Sequence, residues 1–206
     1  MEDIIIKEYF MEFKRVIQQM KEAYAKNYTE RRNGTLLLGP DKIPNCRHML
    51  FKPLKEEYIE KYLVEEYDNN FPEQYKDFLK TSNGANLYRV KISSDGFSFA
   101  HSMLVIFGLP LTPPFGRPAE QEEPFDVRVE NLARHNAVSE SWLKCGTYTR
   151  DYKFDVQYDI FIDTENNRVY SCERNNCQVV DSWESFDQCL CEIFEGFRGS
   201  LNEYSM

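Results

Sequence analysis

The side chains able to do chemistry in this 206-residue chain are few and scattered. Its three histidines, His48, His101 and His135, stand far apart, in no H-E-x-x-H pattern or other metal-ligand spacing. There is no G-x-S-x-G elbow, no Gly-rich phosphate loop with its lysine and no G-x-G-x-x-G. The six cysteines, Cys46, Cys145, Cys172, Cys177, Cys189 and Cys191, include no C-x-x-C pair. Cys189 and Cys191 fall on an expected helix, about 200° apart around its axis, and cannot ligate one metal together. Cys172 and Cys177 flank an expected turn that lets them approach each other, the one place where a zinc site is conceivable. Cys145 has no local partner to activate it and reads as a buried thiol.

One constellation remains, the acidic series Asp151, Asp155, Asp159 and Asp163. On a strand, Asp155, Asp159 and Asp163 share a face, with successive members ~13–14 Å apart. A hydrolytic carboxylate pair needs roughly 5–9.5 Å, and adjacent ligands of one cation must stand closer still. The face is therefore either a solvated side of an antiparallel sheet or a negative surface presented to a basic partner. A hydrolase would need a pocket gathering His101 or His135 with a carboxylate. The expected chemistry is recognition without catalysis, cofactor or metal.

The charge balance agrees. With 34 acidic and 25 basic side chains the net charge is −9, which opposes direct nucleic-acid binding. It suits docking onto a basic protein, and equally suits simple solubility. Apolar residues make up 42% of the chain, enough for a globular core without staples. The 13 Tyr and 15 Phe are expected in that core and on half-buried sheet positions. No apolar run is long enough to suggest a membrane span. The opening Met1-Glu2-Asp3-Ile4-Ile5-Ile6-Lys7-Glu8 is unlike a signal peptide. The expected compartment is the cytoplasm, where the cysteines stay reduced.

The elements that must position these residues are organised around Phe71 to Ala85. Pro72 suits a first helical position. Tyr75, Phe78 and Leu79 make one apolar stripe, Phe71 is placed as a staple, and Asn83-Gly84 ends the helix. Leu87 to Ile92 then reads as a strand. Upstream, an amphipathic helix is expected from about Ile4 to Ala25, with Tyr9, Phe13, Val16, Ile17, Met20 and Tyr24 on its apolar side. It is suited to packing on the domain or to a dimer contact, so monomer and homodimer both fit the pattern. Asn27 to Pro53 is broken by Gly and Pro and reads as a connection, with Leu36-Leu37-Leu38 as a short strand. This divides the chain into an N-terminal extension, residues 1–53, and a main domain, residues 54–206, together forming one compact unit.

Leu54 to Tyr67 reads as a helix. Phe97 to Phe99 and Met103 to Phe107 read as strands. The segment 108–124 carries five prolines and reads as an exposed loop, conceivably a polyproline ligand. Val127 to Ala137 reads as a short helix and Trp142 to Tyr148 as a strand. Phe154 to Ile162 alternates most clearly of all. A hairpin turn at Glu165-Asn166-Asn167 returns through Val169-Tyr170, and Gln178 to Val180 forms a last short strand. A closing helix, capped by Asp181 or Ser182, runs through Phe197.

The Pro72, Tyr75, Phe78, Leu79, Asn83, Gly84 series resembles the signature of the SUKH superfamily. Ala85 stands where that family often has a second Gly. The second half extends the resemblance through Trp142, Leu143, Gly146, Asp159, Val169, Tyr170, Ser185 and Phe186, in the family's order, over roughly Leu54 to Phe197. The resemblance implies an α+β fold: a mainly antiparallel mixed sheet with helices on one side and a closing C-terminal helix. It implies a non-enzymatic protein-binding module. Many such domains are bacterial immunity proteins that neutralise a cognate polymorphic toxin, often a nuclease. Others act as regulatory or scaffold adaptors. The expected partner is thus a protein, foremost a basic toxin domain, and the candidate contact face is Asp155, Asp159 and Asp163.

Overall fold

Strand alternation and helical stripes produce a meander with helices laid against it. The computed structural model describes residues 12–32, 34–39, 47–67, 71–94, 97–109, 133–134, 138–150 and 155–203. In chain order the described elements are α1 (Glu12–Ala23), β1 (Tyr28–Glu30), β2 (Leu36–Leu38), β3 (Arg47–Leu50), α2 (Glu56–Tyr67), α3 (Glu73–Thr81), β4 (Ala85–Ser94), β5 (Phe97–Ile106), β6 (Ala133–Arg134), β7 (Trp142–Thr149), β8 (Gln157–Asp163), β9 (Val169–Glu173), β10 (Val179–Trp183) and α4 (Phe186–Glu203).

The strands lie in the order β1-β2-β3-β4-β5-β7-β8-β9-β10, with β6 also paired to β7. Each pairing among the described residues is antiparallel. The fold class is therefore α+β with an antiparallel sheet. Because β3 pairs with β4, the sheet runs unbroken across residue 53.

Register explains the core. Leu50 lies opposite Ala85, Ala85 opposite Ile106, Ile106 opposite Gly146, and Gly146 opposite Ile160. One face of the sheet is thereby apolar from β3 to β8. It shares a single cluster with Ile17 and Met20 of α1, Tyr75 and Leu79 of α3, and Leu190 and Phe197 of α4. On the opposite face Leu37, Met49 and Phe51 form a second, smaller cluster.

Several sequence expectations need correction. Ala133–Arg134, expected in a helix over Val127 to Ala137, forms β6 against Leu143 and Lys144; residues 127–132 and 135–137 lie outside the described residues. The two strands expected at Phe97 and Met103 are one, because β4 keeps Ala100, His101 and Ser102 in its ladder. The segment read as a connection contributes β1 and β3 as well as β2. The last strand extends through Trp183, so neither Asp181 nor Ser182 caps the final helix. Ser185 does: its Oγ accepts the Gln188 N–H at 3.1 Å, while Gln188 Oε1 accepts the Glu184 N–H at 3.2 Å. The first turns of the expected N-terminal helix, and the proline-rich loop beyond Leu109, lie outside the described residues.

Candidate functional site

The signature residues converge on one buried knot. Pro72 is the N-cap of α3, one position before the first helical residue. The three-and-four spacing then turns Tyr75, Phe78 and Leu79 inward, all buried. The Tyr75 hydroxyl donates to Phe107 O at 2.5 Å and lies 3.2 Å from Cys145 O, so it reaches the residue just past β5 and the middle of β7. Phe71 meets the Tyr75 ring at 5.6 Å, and Phe186 of α4 meets it edge-on at 4.8 Å.

Past the helix, Ser82 Oγ donates to Gly84 O at 2.6 Å and lies 3.1 Å from Phe51 O. The Asn83 side chain imitates a strand partner: Nδ2 donates to Leu109 O at 2.8 Å and Oδ1 accepts the Leu109 N–H at 2.7 Å. Gly84 has φ +91°, and a Cβ there would stand 2.9 Å from Ile106 O. At Gly146 an added Cβ would stand 2.6 Å from Val105 O, so only glycine lets β5 and β7 approach this closely. Val169 is fully buried in the same core. Trp142 and Tyr170 sit on the other face, stacked at 4.4 Å and 8°, with Trp142 also 5.7 Å from the buried Phe161 ring.

The acidic strand is not the open face that alternation implies. Asp155 is exposed but precedes β8, and Asp151 lies outside the described residues. Asp159 and Asp163 are buried, at 6% and 7% exposure. Asp159 Oδ2 pairs with Lys144 Nζ at 2.8 Å, and its Oδ1 accepts Arg174 Nε and Nη2 at 3.0 and 2.9 Å. Asp163 accepts the Glu165 N–H at 3.0 Å and Asn166 Nδ2 at 2.7 Å, which fixes the β8–β9 turn. Carboxylates so engaged have their lone pairs filled from within. As a partner-facing row, Asp155, Asp159 and Asp163 are corrected to one exposed acid and two internal anchors. On the core side, Tyr148, Ser171, Asp181 and Arg150 form a second polar network at the sheet's end.

His48 is buried between the Tyr24, Tyr88 and Phe194 rings, at 5.8, 4.8 and 5.9 Å. Its Nδ1 lies 3.3 Å from the Tyr88 N, accepting that N–H, where β4 bulges against β3 and Tyr88 takes φ +51°. Burial lowers its pKa to about 4, so it is a neutral core histidine at pH 7. His101 is half-buried in β5, and His135 lies outside the described residues.

Burial pushes the Cys145 thiol well above its ordinary pKa, the reverse of nucleophile activation, and the thiol lies 3.4 Å from Ile160 O. Cys172 is pushed up to about 11 by burial and by the neighbouring Cys177, and both are free thiols. Among the described residues no three His, Cys, Asp or Glu side chains gather as metal ligands.

One feature escaped the alternation signal. The large hydrophobics left exposed among the described residues are Tyr28, Val179 and Val180, at 55%, 47% and 42%. They occupy the two end strands of the sheet, β1 and β10. The adjacent valines just beyond the Asn175-Asn176 turn were the available clue. No described helix is long and apolar enough to cross a membrane. Compared with protein families, with curated proteins and with solved structures, the chain matches none.

Proposed function

We propose that this chain is a cytoplasmic, non-enzymatic protein-binding module of the SUKH type. In this reading it is an immunity protein that binds and neutralises a cognate toxin domain, a nuclease being the class its charge fits, by covering its working surface. The observation that carries the reading is the knot: Tyr75, Asn83, Gly84 and Gly146 meet backbone atoms of β5 or of Phe107 and Leu109 just past it. Motif residues engaged in this way specify a scaffold and leave recognition to the surface. The net charge of −9 adds to it, because a nuclease must carry a basic substrate cleft and complementary charge speeds and selects encounter.

The test is co-expression with the toxin encoded beside it, scored by survival, with binding of the purified pair measured at low and raised salt. Protection together with salt-weakened binding is expected. Killing at the rate seen without this chain would overturn the proposal.

A further inference from the structure

We propose that the free edge of β10 is the docking rail, taking an extended, lysine- or arginine-bearing segment of a partner as an added antiparallel strand. This deepens the immunity reading above and rests on it for the partner's identity.

Among the described residues β10 pairs with β9 alone and stands last in the sheet order, so its outer backbone groups face away from the ladder. An edge of this kind gives affinity through main-chain hydrogen bonds and selectivity through the side chains beside it. Two of the three exposed large hydrophobics, Val179 and Val180, lie on this strand. They are placed to pack beside side chains of an incoming strand.

The charges around the edge choose the occupant. Each nearby arginine is already matched within the chain: Arg150 by Asp181, Arg168 by Glu184 at 2.8 Å, and Arg174 by Asp159. Two further acids are held by neutral donors. Glu173 accepts from Asn176, and Glu192 accepts from the Trp183 indole at 2.8 Å and from Gln188 at 2.9 Å. Among the described residues neither is paired with a cation. A basic segment laid along β10 would meet Glu173 near one end and Glu192 beneath Trp183 near the other. A second copy of this chain would instead set these acids against one another, at a net charge of −9 on each side.

The test uses the full chain and a fluorescein-labelled octapeptide of alternating valine and lysine, read by anisotropy. Amide signals of the protein are followed by NMR in the same titration. Saturable binding that weakens with salt, with shifts and slowed exchange confined to residues 178–183, is the expected result. Val180→Lys should weaken it roughly tenfold, because an exposed side chain is exchanged for one that repels the lysines. The same peptide with glutamate replacing lysine should not bind. Equal binding by Val180→Lys, shifts centred elsewhere, or dimerisation through β10 in place of peptide binding would each overturn the proposal.

In the co-expression assay, protection by the wild-type chain and equal protection by Val180→Lys would sink the docking rail and leave the immunity reading standing. Loss of protection by both would sink the immunity reading, whereas the peptide titration judges the edge by itself.

Discussion

Tyr75→Phe isolates the hydroxyl at the centre of the knot. The ring stays, so its contacts with Phe71, Phe78 and Phe186 are kept and no cavity opens. What is lost is the donor to Phe107 O at 2.5 Å. The second carbonyl within reach, Cys145 O, still receives the Phe107 N–H at 2.9 Å and remains satisfied. The substitution therefore leaves one buried acceptor unpaired in an environment where Tyr75 and Phe107 are 0% and 3% exposed. An orphaned buried acceptor costs about 1–3 kcal/mol, and the middle of that range, about 2 kcal/mol, is the expected loss. For a chain of this size that corresponds to a fall in Tm of about 4–8 °C. Urea unfolding followed by fluorescence and circular dichroism measures it, with a lower midpoint and an unchanged slope expected. A variant within about 0.5 kcal/mol of wild type, the range of an ordinary surface change, would refute the view that this hydroxyl ties α3 to the end of β5.

Gly146→Ala should destabilise by about 1–3 kcal/mol through overpacking, since its Cβ would press on Val105 O; a thermal melt reads this directly. Asp159→Asn removes the charge shared by Lys144 and Arg174 and should cost about 1–3 kcal/mol, discounted for the exposure of Arg174. A stability loss of that size in urea marks an internal anchor, whereas unchanged stability with weakened partner binding would restore Asp159 to the contact face. His48 has a folded pKa of about 4, below its ordinary 6.5, so its contribution is complete above pH 6.5 and is lost as pH falls towards 4. The loss should approach about 2–3 kcal/mol between pH 7 and 4.5, and urea midpoints for His48→Phe should fall less steeply over the same interval. Ser185→Ala should cost about 1 kcal/mol by removing the cap of α4, measurable as a lower urea midpoint.

Where local periodicity and burial coincide, the elements were legible in the sequence. The stripe of Tyr75, Phe78 and Leu79 marks α3, and the alternation through Ile160 and Ile162 marks β8. Strands joined to the sheet by tertiary contacts alone were not. β1, Tyr28-Thr29-Glu30, is exposed throughout and shows no alternation, and β3 places Arg47 beside a bulge. β6 is a two-residue bridge inside a stretch with helical spacing. Ser185-x-x-Gln188 was readable as a capping box, but Trp183 extended the apolar pattern of the helix upstream and drew its start too early. The acidic face was misread for a long-range reason. Alternation gives Asp159 its side of the sheet, but the cations that bury it come from Lys144 on one neighbouring strand and Arg174 in the turn after the other. The exposed valines of β10 look like any buried pair until the sheet order, among the described residues, leaves that strand without an outer neighbour.

The sheet order also sets a timetable. Apart from β6, each strand neighbours the one made just before it, so the short hairpins β4–β5, β8–β9 and β9–β10 can close within microseconds of leaving the ribosome. The helices obey a different clock. The apolar side of α1 packs with α4, and roughly 160 residues separate them, which at about 5–20 residues per second is a wait of about 8–30 s. Throughout that interval the nascent chain carries a growing, locally zipped sheet and an uncovered amphipathic helix. Stop codons or frameshifts before residue 186 would leave that helix permanently without its cover and make the product a client of chaperones and proteases. The cover of the first described helix is thus the last described element to be made.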